Sequence, residues 1–172
     1  MAPQFDEYGA LKAEQLERIK QRDSFLNLNI IAIGIISTLA VQVQGPGQRW
    51  LLLPWVTFIL GWAYLINDDK VSAIGAHLRS AMNRGEAQLE WEESEKGFLS
   101  AARRQVGEVA VFLTSFVFPA VPALGLFLAD IPQGSLGALL LLVAAAELIL
   151  MLWLTATFLR SIVLRRRARR AA

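Results

Sequence analysis

Long apolar blocks alternate along this chain with shorter polar segments. Four blocks, Phe25 to Gln44, Trp50 to Ile66, Val106 to Ala129 and Leu136 to Leu159, carry few charges, and each approaches or exceeds the roughly 20 residues that a helix needs to cross hydrocarbon. The pattern predicts an all-α, polytopic membrane protein with four transmembrane helices. The connections Gly45-Pro46-Gly47 and Asp130-Ile131-Pro132-Gln133-Gly134 are short and rich in helix breakers. Spans one and two, and spans three and four, should therefore pair as antiparallel hairpins.

The polar segments read as helical too. Glu7 to Asp23 has helix-forming composition, and no breaker separates it from span one before Gly34, which predicts one long helix rising into the membrane. Its apolar positions Tyr8, Leu11, Leu16 and Ile19 form an imperfect stripe suited to packing on a neighbour. After span two, Val71, Ile74, Leu78 and Met82 recur at spacings of three and four. They mark an amphipathic helix ending near Asn83-Arg84-Gly85. Glu86 to Glu95 is strongly acidic around Leu89 and Trp91, and Phe98 to Gln105 leads into span three. The chain thus divides into an N-terminal helix (1–24), a first hairpin (25–66), a helical loop (67–105), a second hairpin (106–159) and a basic tail (160–172). The loop holds too few apolar side chains for a core of its own, so its greasy face needs a partner. Leu11, Leu16, Ile19, Val71, Ile74, Leu78 and Met82 are the expected contacts, either within a homo-oligomer or with a cytoplasmic protein.

Charge sets the orientation. The segments before span one, between spans two and three, and after span four hold all the Lys and Arg except Arg49, so both termini are expected in the cytoplasm. Met1 to Ser24 lacks the pattern of a signal peptide. Trp50, Trp55, Trp62 and Tyr64 bracket span two as candidate interface anchors. Arg165, Arg166, Arg167, Arg169 and Arg170 concentrate positive charge beside span four; they serve as a topology anchor and as candidate contacts to lipid headgroups. No aromatic residues interleave these arginines, which argues against nucleic acid. The chain has no cysteine, so thiol chemistry and thiolate metal sites are excluded.

Glu147 lies halfway along span four. An acid at that depth costs roughly 2.5–3.5 kcal/mol to insert, so it should face protein or water and carry a proton. One reading is a proton or ion site lining a path, with Ser37, Thr38, Thr114 and Ser115 as further polar groups; the other is a hydrogen bond between helices. Pro119 and Pro122 lack backbone donors and free the carbonyls of Ser115 and Phe118 as acceptors for it. Asn67-Asp68-Asp69 at the inner mouth of span two reads as the end of that span and the cap of the next helix. A hydrolytic or metal site would require Asp68, Asp69 and His77 to converge, and no second histidine or nucleophile completes such a set. No nucleotide-binding or common hydrolase motif is present, so neither a cofactor nor enzymatic activity is expected.

Two stretches carry a resemblance. Glu7-Tyr8-x-x-Leu11-Lys12-x-Glu14-x-x-Glu17-Arg18-Ile19-x-x-Arg22 and Leu65-Ile66-Asn67-Asp68-Asp69-Lys70-Val71-Ser72-Ala73-Ile74-Gly75-x-x-Leu78-Arg79 resemble small four-span integral membrane proteins of actinobacterial type. The first stretch with its hairpin is similar to SLATT-type membrane modules. That resemblance implies a bacterial cytoplasmic membrane and a role in antiphage defence, with no catalytic residues carried over. The chain departs from the module in having four spans and no attached sensor domain. The expected function is that of a homo-oligomeric membrane sensor, scaffold or effector working through its cytoplasmic helices, with an ion or proton channel lined by Glu147 as the alternative.

Overall fold

A computed structural model of the chain describes residues 3–42, 47–83 and 101–171. The described residues are almost entirely helical and contain no strand. They form α1 (Pro3–Gln42), a 3-10 turn (Gly47–Leu51), α2 (Leu52–Asn83), α3 (Ala101–Phe112), a π-helical turn (Leu113–Val117), α4 (Ala120–Ala129) and α5 (Ser135–Ala171). Four stretches are long and apolar enough to cross a membrane: Tyr8–Gln42, Gly47–Leu78, Val106–Ala129 and Ser135–Arg165. The protein is all-α and polytopic, as the hydropathy pattern requires.

The helices run through the boundaries that composition suggests. α1 is continuous from the polar N-terminal segment into span one, as expected. α2 also continues without a break, which overturns the reading of Asn67, Asp68 and Asp69 as the end of one helix and the cap of another. Inside a helix each backbone N–H already has an acceptor four residues earlier, so no orphan donor remains there to cap. α2 ends at Asn83; Arg84 and Gly85, and the acidic segment Glu86 to Glu95, lie outside the described residues.

α2 is the central helix and touches each of the other three spans. The larger core cluster joins Tyr64 and Leu65 of α2, Phe112 and Phe116 around the π turn, Ala120 of α4, and Met151, Leu154, Phe158 and Ile162 of α5. Phe112 stacks on Phe158 with ring centroids 3.9 Å apart, and Tyr64 packs beside Phe112 and Phe116. Tyr64 is therefore a core residue and not an interface anchor. Trp62 is no isolated anchor either, because it stacks on Trp153 of α5 at 4.7 Å. A second cluster of Leu51, Phe127 and Ala144 closes the opposite end of the bundle. Gly47 lies close against the backbone of Leu126 and Asp130 there, and its N–H donates to Asp130 Oδ2 at 3.0 Å, joining the two hairpin ends. α1 flanks this core, with Phe25 and Leu26 packed against it. It packs along α2 and leaves Leu28, Ile31, Ile35 and Leu39 exposed, side chains suited to a hydrocarbon surround.

Close approach of α2 depends on Gly61. A Cβ there would meet Leu154 Cδ2 at 2.9 Å and Phe116 Cβ at 3.2 Å. Gly61→Leu is expected to wedge the core open at a cost of about 1–3 kcal/mol, read as a lower thermal midpoint in detergent. Gly61→Ala should cost less, since a Leu154 methyl can move aside.

Candidate functional site

Polar side chains gather at two depths. The first group lies where α1, α2 and α5 leave the apolar layer at the end rich in basic residues. Asp68 Oδ2 accepts from Arg165 Nη1 at 2.8 Å, and Asp68 Oδ1 accepts from Arg22 Nη1 at 3.3 Å. One carboxylate thereby ties three helices together. Arg165 Nη1 also donates to Ser72 Oγ at 2.7 Å, and its Nη2 donates to Ser161 Oγ at 3.0 Å and lies 3.8 Å from Asp69 Oδ1. Asn67 Nδ2 donates to the backbone carbonyl of Arg18. The residues read as a helix cap are thus an interhelical clamp, because three charged or amide side chains from neighbouring helices meet them laterally.

This arrangement corrects two further expectations. Arg165 is not a headgroup contact; its guanidinium is turned into the bundle and bonded to Asp68, Ser72 and Ser161. The side chains of Arg166, Arg167, Arg169 and Arg170 lie outside the described residues. Leu78 is only 3% exposed and is spent inside the chain rather than offered to a partner. The Asn67–Arg18 and Asp68–Arg22 pairs bond α1 to α2 at this end. Val71, Ile74, Leu11 and Ile19 are half-buried, Leu16 is exposed, and the Met82 side chain lies outside the described residues. His77 is exposed and eight residues beyond Asp69 on the same helix, about 12 Å along its axis. Among the described residues no three His, Cys, Asp or Glu side chains converge on a metal-sized site.

The second group lies within the spans. Pro119 has no N–H to give the Ser115 carbonyl, and Asn29 of α1 supplies the missing donor through Nδ2. The same interruption is absorbed by the π turn, where the Phe118 N–H reaches back to Leu113 O at 2.8 Å. The Phe118 carbonyl accepts from the Val121 N–H at 3.2 Å. Both carbonyls expected to receive a bond from Glu147 therefore have other donors. Thr114 donates to Ala110 O at 2.6 Å and Thr38 to Gly34 O at 2.7 Å. Both sit on exposed faces, and Ser37 lies on α1 outside the core. None of these groups hydrogen-bonds the Glu147 carboxyl.

Glu147 stands apart. It is 2% exposed, and neither carboxyl oxygen has a hydrogen-bond partner among the described residues. On α5 it continues the buried stripe of Ala144, Met151, Leu154 and Phe158. Ala144 belongs to the outer cluster and Met151 to the inner one, so the acid sits at the junction of the two cores.

Three participants escaped sequence reasoning: Asn29, Arg22 and the lateral role of Asn67. An amide inside an apolar block and a proline four residues after Ser115 were the two signals that could have paired α1 with span three. Comparison of the chain with protein-family models, curated proteins and solved structures returns no match.

Two substitutions test these contacts by thermal unfolding. Asn29→Ala should strand the Ser115 carbonyl and cost about 1–3 kcal/mol; adding Pro119→Ala, which restores a backbone donor, should recover part of that loss. Asp68→Ala leaves two guanidinium groups without their shared anion and is expected to lower stability by about 1–3 kcal/mol. Arg165→Lys should fall between wild type and Asp68→Ala, because an ammonium cannot span Asp68, Ser72 and Ser161 in one plane.

Proposed function

We propose that this protein is a non-enzymatic, self-associating membrane platform that works as a sensor, scaffold or effector through the helical extensions at its basic end. The excess of Lys and Arg there supports a cytoplasmic location for that end and for both termini. The observation that carries the reading is the clamp at Asp68. α1, α2 and α5 pass out of the apolar layer as unbroken helices and are bonded to one another at the exit. A load on the extensions therefore reaches the spans through rigid elements, without a flexible hinge between them. The geometry suits transmission of contact, since Asp68 is held by Arg22 and Arg165, and Asp69 lies against Arg165.

Self-association draws on two surfaces. Leu16 is 54% exposed on the N-terminal extension, and the membrane face of α1 is almost bare of protein contacts. The likeness of the N-terminal stretch to SLATT-type modules would place such a platform in bacterial defence.

Because the chain contains no cysteine, single cysteines report contacts without background. Leu16→Cys in native membranes is expected to cross-link copies into dimers or larger species with a short bifunctional maleimide, and purified protein in liposomes should pass no ions. A monomer after cross-linking, with an ion flux that Glu147→Gln abolishes, would replace the platform by a pore.

A further inference from the structure

The Asp68 clamp leaves one buried ionisable group without a task. We propose that Glu147 is a proton-binding site in the bilayer core, whose ligand is a single proton and whose closed packing admits only the neutral acid. This assignment does not depend on self-association.

The surroundings of the carboxyl argue for it. Leu154 of α5, Gly61 of α2 and Phe116 of the π turn lie together. Seven residues toward the outer cluster from each, about 10 Å along the axes, are Glu147, Pro54 and Ala123. The acid therefore lies level with Pro54 and Ala123, with Ala120 and Thr57 one turn nearer the inner core. All four are buried. None carries a charge, and the Thr57 hydroxyl donates to its own helix at Leu53 O, 3.0 Å away. The nearest described charge inward on the same helix is Arg160, thirteen residues on, or about 20 Å; at the outer end the described charges are Arg49 and Asp130, and neither hydrogen-bonds the Glu147 carboxyl. No described cation pairs with Glu147. An ionised carboxylate in that place would be an unpaired buried charge, which the protein avoids by keeping the proton. A metal cation would need several oxygens around it, and the four residues named at this depth add one side-chain oxygen, that of Thr57, to the two of the carboxyl. A proton needs only the carboxyl itself.

Dicyclohexylcarbodiimide, an apolar reagent that partitions into lipid, reads this state directly. The acid O–H adds across one N=C bond. The carboxyl oxygen bonds to the central carbon, the proton moves to nitrogen, and the O-acylisourea rearranges by an oxygen-to-nitrogen acyl shift to a stable N-acylurea. Nothing leaves, so the chain gains the mass of one carbodiimide. Full-length protein in liposomes near neutral pH is expected to take up one equivalent on the peptide containing Glu147. Labelling should fall as pH is raised, and Glu147→Gln should take up none. If that variant does not fold, the position of the label in the wild-type chain decides the matter alone. Absence of label at Glu147 across the pH range overturns the proposal. So does equal modification by a charged, water-soluble carbodiimide, which would mean a wet carboxyl. Protection by sodium ions at constant pH would assign the site to a metal cation and overturn it as well.

Discussion

Within hydrocarbon there is no water to satisfy a polar group, and the chain is organised around that constraint. Backbone donors and acceptors are consumed by helix formation, and the threonine hydroxyls follow the same rule. Thr38, Thr57, Thr114, Thr155 and Thr157 each return their hydroxyl to a carbonyl three or four residues earlier in their own helix. Pro119 breaks the ladder of span three, and the fold answers twice, with a π turn that shifts the local pattern and with Asn29 reaching across from α1. The amide is worth more there than in water, because the alternative is a carbonyl facing methyl groups. Asn29 is also what gives α1, otherwise a peripheral helix, a specific depth against span three.

The bundle is held at three levels by different physics. In lipid, apolar side chains gain little by leaving the solvent, so association rests on close packing and on polar contacts. Packing dominates in the middle, where Gly61 lets α2 approach Phe116 and Leu154 and the Phe112–Phe158 stack fills the inner core. Polar contacts dominate at the ends. Asp130 joins the hairpins through Gly47 at one end, and Asp68 joins three helices at the other. Partial burial of Asp68 costs desolvation, offset by two guanidinium groups and by the geometric fixity of a bidentate anion. The result is a fixed register among α1, α2 and α5 at the point where they leave the membrane.

Much of the fold was legible because hydropathy in a membrane chain reports the environment directly. Four apolar runs became four spans, and the unbroken composition of Glu7 to Asp23 became the first half of α1. Lateral relations were not legible. Asn67-Asp68-Asp69 has the composition of a cap, and only the arrival of Arg22 and Arg165 from distant sequence turns it into a clamp. Tyr64 has the look of a belt residue, yet it falls on the face of α2 that meets Phe112 and Phe116. The freed carbonyls of span three were visible in Pro119 and Pro122, but their donor could not be chosen from sequence. Asn29 took one and the Val121 N–H the other, leaving Glu147 with neither. Depth along a helix can be counted in residues, whereas facing depends on the rotation of each helix, and one position of error turns a side chain by about 100°.

That last displacement gives Glu147 its meaning. A leucine in its place would complete the stripe from Ala144 to Phe158 and fuse the two apolar clusters into one core, avoiding a penalty of roughly 2.5–3.5 kcal/mol for an acid at that depth. A role in helix adhesion would require an acceptor for its hydrogen, and the carbonyls best placed for it are already bonded. A role as an ion-pair partner would require a cation at the carboxyl, and no described side chain bonds either of its oxygens. What remains is the property that separates a carboxylic acid from leucine in the absence of any partner: it can gain and lose a proton. Losing it would set an unpaired charge between the inner and outer cores, at a cost that the neutral acid avoids.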